Sequence, residues 1–86
     1  MRAFQYVIKD VNGIHARPAG LLVKKVSVLE DCMVTIQKGE RSADARKLFA
    51  LMSLGVVCGD EITVKVNGGD EIAAEKEIKE FFEQNL

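Results

Sequence analysis

The chain has no tryptophan, a single histidine, a single proline and two cysteines among its 86 residues. Each scarcity closes a route. One histidine and two distant cysteines give no metal-ligand spacing, so no metal site is expected. Cys32 and Cys58 stand in apolar surroundings, DCMVTI and GVVCGD, which predicts two buried, reduced thiols and no disulfide. Twelve basic residues against thirteen acidic ones leave a net charge of −1. There is no broad positive field to gather nucleic acid or an anionic membrane. No apolar run approaches bilayer length, and the opening MRAFQYVIKD has neither the apolar core nor the small-residue cleavage site of an export signal. This predicts a cytoplasmic protein that does not insert into a membrane. A Gly-rich, Lys-ended nucleotide loop is also missing, so the chain has no evident means of activating ATP.

What is present suits one compact domain over residues 1–86: 48% hydrophobic and 29% charged residues, with no repeat, linker or low-complexity tract. FQYVI at 4–8 alternates and is rich in aromatic and β-branched residues, which predicts a strand ending in the turn cluster Asp10, Asn12, Gly13. Ala19, Leu22, Val23 and Val26, extended by Leu29, keep helical spacing. Met33–Ile36 is a short β-prone run, and Lys38-Gly39-Glu40 predicts a hairpin into a brief polar strand near Arg41–Ala43. Leu48, Leu51 and Met52 give the next helix an inward face, with Gly55 as the left-handed residue that ends it. EITVKV at 61–66 alternates strictly. After the Asn67-Gly68-Gly69 turn, Asp70 is an N-cap for a helix with the stripe Ala74, Ile78, Phe81, Phe82. The order is βαββαβα, which predicts an α+β fold: a mostly antiparallel sheet with helices on one face and water on the other.

The segment GIHARPAG at 13–20 holds both the only histidine and the only proline. Proline is tolerated in the first turn of a helix, where the amide it lacks has no intrahelical acceptor. Pro18 therefore marks the helix start and puts His15 at or beside the N-cap. The amides of Ala16 and Arg17 are then unpaired donors at the positive end of the helix. Arg17 adds a planar, permanently charged fork suited to phosphate oxygens. A nucleophilic ring, an anion nest and a cation thus fall within three residues. A lone histidine is most often a plain surface residue; here the spacing of His15, Arg17 and Pro18 argues for a phosphoryl acceptor.

Asn12-Gly13-Ile14-His15-Ala16-Arg17-Pro18-Ala19 resembles the active-site signature of HPr, the histidine-containing phosphocarrier family of the bacterial sugar phosphotransferase system. Leu48-Phe49-Ala50-Leu51-Met52-Ser53-Leu54-Gly55 resembles that family's second helix and its exit, and the likeness covers essentially the whole chain. The resemblance implies an open-faced β-sandwich, with a four-stranded antiparallel sheet in the order 1-4-2-3 and three helices on one face. It further implies that His15 accepts phosphate on Nδ1 from phosphorylated enzyme I and passes it to the IIA domains of sugar permeases, with Arg17 as accompanying cation. The backbone amides of Ala16 and Arg17 would bind the phosphate. Docking would fall to Ala16, Gly20, Lys24, Leu48, Phe49 and Met52. The chain would act as a monomeric carrier and not as an enzyme. It would need no cofactor, since phosphoenolpyruvate and magnesium are handled by enzyme I.

One position departs from the pattern. Many members from low-GC Gram-positive bacteria carry a regulatory serine six residues before the Ser/Thr of the helix exit; counting back from Ser53 reaches Lys47. Regulation by serine phosphorylation is therefore not expected. An alternative is an HPr-like paralogue serving as a dedicated relay or regulatory adaptor for a non-sugar branch. Retention of His15 and Arg17 with loss of the serine is the reverse of the regulatory paralogue's pattern, which favours the relay.

Overall fold

A computed structural model describes residues 1–86. Strands β1 (Arg2–Val7), β2 (Met33–Lys38), β3 (Arg41–Asp44) and β4 (Glu61–Asn67) form one sheet, and helices α1 (Ala16–Ser27), α2 (Leu48–Ser53) and α3 (Glu71–Asn85) complete the βαββαβα order. The strand order is β1-β4-β2-β3, with every pairing antiparallel. β4 lies between β1 and β2, pairing Tyr6 with Ile62 and Ile36 with Val64. A central strand covered on one face must alternate without error, which is why EITVKV carries the cleanest signal. Ile62, Val64 and Val66 are fully buried beside Val34 and Ile36, in one core with Leu22 and Val26 of α1, Leu51 of α2 and Ile78 and Phe82 of α3. Each such side chain contributes about 1.5–3 kcal/mol of burial.

β1 is an edge strand, and its Phe4 and Tyr6 are only half-buried. Both pack against Phe82, with ring centroids 6.3 and 5.5 Å away, and the Tyr6 hydroxyl donates to the Phe82 carbonyl at 3.0 Å. The strand starts earlier than FQYVI suggests, because Arg2 and Ala3 already pair with Val66 and Lys65. Ile8 leaves the ladder: its amide and carbonyl bond Asp60 and Gly59 in a turn. Two other expected features are in place. Asp70 caps α3, accepting from the Ala73 amide at 3.2 Å, and Gly55 closes α2 at φ +67°.

The cysteines divide. Cys32 is buried, its thiol donates to the Gly68 carbonyl at 3.0 Å, and burial pushes its pKa up. Cys58 is exposed, contrary to the expectation from its apolar neighbours. The residue that turns inward there is Val56; the chain then enters a turn closed by Asp60, whose carboxylate accepts the Val57 amide at 2.9 Å. Cys58 rides on the outside of that turn. No helix of the chain is long and apolar enough to cross a membrane.

Candidate functional site

The loop between β1 and α1 is pinned from two sides. Asp10 accepts the Asn12 amide on its side chain at 2.8 Å and the Gly13 amide on its carbonyl at 3.0 Å, which folds the loop back on itself. The amides of Lys9 and Asp10 donate to the Leu86 backbone oxygen at 2.6 and 2.9 Å, tying the loop to the end of α3. Gly13, at φ +64°, lies directly on the Val56 backbone, and the Ile14 amide donates to the Val56 carbonyl at 3.1 Å. With Ile14 and Pro18 both buried, the residues between them have a fixed place at the surface.

His15 is the N-cap of α1, in extended backbone (φ −101°, ψ −176°), and its ring makes no capping hydrogen bond. Its carbonyl accepts the Ala19 amide at 3.0 Å, opening the helix. The amides of Ala16 and Arg17 find no backbone acceptor, as the first donors of a helix do not. Pro18, third in the helix, has no amide to leave unpaired. Arg17 is exposed and forms no ion pair within the chain. The His15 side chain is 40% exposed, and its Nε2 lies 3.9 Å from Asp10 Oδ1. His15, Arg17, Asp10 and Leu21 line one open depression whose far wall is Gln84 and Asn85. An anion received at the ring meets two free amides and a free guanidinium.

The sequence places Asp10 in a turn, and the structure adds that this turn carries its carboxylate back to 3.9 Å from the His15 ring. Leu21, exposed at the depression, was also missed; its spacing of four from Arg17, outside the buried stripe, was the available signal.

The residues expected to dock partners divide between two helices. Ala16, Gly20 and Lys24 fall one turn apart on α1, with Ala16 and Lys24 exposed and Gly20 half-buried. Lys24 also lines an apolar groove with Leu21, Val28 and Phe81. On α2 only Leu51 is fully buried; Leu48 is half-buried against the core, and Phe49 is 81% exposed. Met52, read both as part of the inward face and as a docking residue, is 40% exposed, because a helix of six residues turns only one side to the core. Lys47 is the exposed N-cap of α2 and makes no side-chain cap.

The model of the family described as the HPr component phosphorylation site of the phosphotransferase system matches residues 3–84. The chain belongs to the HPr family. It is 39% identical over 85 residues to the phosphocarrier protein HPr of Mycoplasma genitalium, covering 99% of this chain and 97% of that one. The crystal structure of an HPr from Thermoanaerobacter tengcongensis superposes with a TM-score of 0.90 at 31% identity, over 98% of this chain and 93% of that one. The Bacillus subtilis catabolite-repression protein Crh, solved as a swapped dimer, shares the fold at a TM-score of 0.77 and 27% identity, over 94% and 92% of the two chains. HPr proteins are phosphocarriers and not enzymes in their own right, and the antiparallel 1-4-2-3 sheet with its three helices is their architecture.

Proposed function

We propose that this HPr-family chain carries a phosphoryl group on His15, taking it from phosphorylated enzyme I and delivering it to the IIA domains of sugar permeases. The observation that supports this most directly is the placement of His15 at the N-cap, beside the free amides of Ala16 and Arg17 and the unpaired Arg17 guanidinium. The Nδ1 lone pair forms the bond to phosphorus while the donor's bond to phosphorus breaks and its electron pair leaves with the donor. The amides and Arg17 then hold the transferred anion. No cofactor is required of this chain, because phosphoenolpyruvate and magnesium are used at enzyme I.

Exchange with two unrelated proteins asks for a shallow apolar surface around the histidine, and Phe49, Met52 and Leu48, with Ala16, Gly20 and Lys24, supply it in this reading. The carrier works as a cytoplasmic monomer. Lys47 in place of a serine removes regulation by serine phosphorylation, since lysine accepts no phosphate there and opposes the helix dipole.

The test is the intact mass after incubation with enzyme I, magnesium and phosphoenolpyruvate, before and after brief acid treatment. One added phosphate that acid removes is expected. No added mass with a competent enzyme I would overturn the reading and leave the dedicated relay or adaptor.

A further inference from the structure

Holding an anion does not account for Asp10. A carboxylate beside a phosphoryl site repels what the site must hold, yet this one is built in: its Oδ1 accepts the Asn12 amide at 2.8 Å, and its own amide is tied to the end of α3. The ring atom it faces is Nε2, at 3.9 Å. At 3.9 Å the carboxylate makes no direct hydrogen bond and acts on the ring through its charge, which favours the proton on the nearer nitrogen and leaves the lone pair on the other.

We propose that Asp10 is the positioning residue of the His15 ring: facing Nε2, its carboxylate keeps the proton there and leaves the lone pair on Nδ1. This rests on the reading of His15 as the phosphoryl acceptor. When Nδ1 bonds phosphorus, the donor atom departs with its electron pair and no proton leaves the ring. The ring then carries hydrogen on Nε2 and phosphorus on Nδ1, and it is formally cationic. Asp10 stabilises that cation. On transfer, the electrons of the nitrogen–phosphorus bond return to the ring, and a ring still protonated on Nε2 is the better leaving group.

The other charged groups near the ring act differently. Arg17 on α1 and the positive end of that helix oppose a cationic ring. From α3, Gln84 and Asn85 are uncharged, and the Leu86 backbone oxygen is already engaged by the Lys9 and Asp10 amides. Asp10 is the carboxylate that lies 3.9 Å from the ring.

Asp10→Asn tests this, because its side-chain oxygen can still accept the Asn12 amide and keep the turn. Long-range proton–nitrogen NMR of the unphosphorylated protein, recorded in alkaline buffer, reports the tautomer without any phosphoryl donor. The Nε2–H form is expected to dominate in the parent, with its ratio to the Nδ1–H form falling about threefold in Asp10→Asn; an unchanged ratio overturns the proposal. Asp10→Glu should restore part of that ratio. A parent that takes no phosphate sinks the relay reading alone, and the tautomer ratio still decides the role of Asp10.

Discussion

Gly13 and Val56 approach so closely that a Cβ on Gly13 would stand 2.2 Å from the Val56 carbonyl oxygen, the same oxygen that accepts the Ile14 amide. Two residues before His15, the backbone is thus seated directly on the loop after α2. Gly13→Ala meets that oxygen and a φ of +64° that alanine adopts poorly. A loss of about 1–3 kcal/mol in urea denaturation is expected, with a displaced His15 ring signal in NMR. Parent-like stability would mean the loop lifts off Val56 at no cost.

His15→Ala should abolish phosphate acceptance and leave the fold intact. The ring makes no capping bond, so its removal is a surface change worth about 0.5 kcal/mol or less. Circular dichroism and a melting curve check this. An unfolded variant would make the histidine structural.

Phe49→Glu is expected to weaken binding to enzyme I about tenfold or more, as the loss of an exposed aromatic anchor does. The melting temperature should stay where it is, because the side chain is 81% exposed. Calorimetric titration measures the first and a thermal scan the second. Unchanged affinity would remove Phe49 from the docking surface.

Incubation with HPr kinase and ATP should leave the protein unmodified, since Lys47 stands at the start of α2. Mass spectrometry decides. A stoichiometric phosphoserine would overturn the register argument that sets Lys47 at the regulatory position.

Acid should destabilise the protein through two carboxylates. The hydrogen bond from Lys38, aided by the Val57 amide, holds Asp60 below its ordinary 3.8. The Gly68 amide and then the Met1 ammonium hold Glu71 below its ordinary 4.5. A carboxyl lowered in the folded state stabilises it fully above the unfolded value, and that contribution is lost as pH falls through the folded value. Urea midpoints should be level from about pH 7 to 5 and fall below about pH 4. Asp60→Asn should be the weaker protein at neutral pH, with the gap closing in acid. A gap that persists at low pH would assign the loss to something other than the charge.

Much of this fold could be read from the chain because its strongest signals are local. The alternation of β4, the Asp70 cap and Gly55 each report a condition that a few neighbouring residues satisfy among themselves. The placement of His15 belongs to the same group, since Pro18 dates the helix start. What escaped depends on distant chain. Cys58 has apolar neighbours, but Asp60 turns the backbone there and faces the thiol outward. Met52 keeps helical spacing, yet a six-residue helix has too little contact to bury it. Asp10 meets the His15 ring only because the loop doubles back and is anchored on Val56 and Leu86; neither anchor is visible in the sequence around the histidine.

The depression around His15 is open, and that openness bears on time as well as on docking. An enclosed site shields a reactive intermediate from hydrolysis; a ring 40% exposed would give a phosphoryl group no such shelter. A surface that many partners can reach is one that water reaches too. The loaded form would decay whenever delivery is slow, so its abundance would follow the present rate of supply and hold little memory of the past.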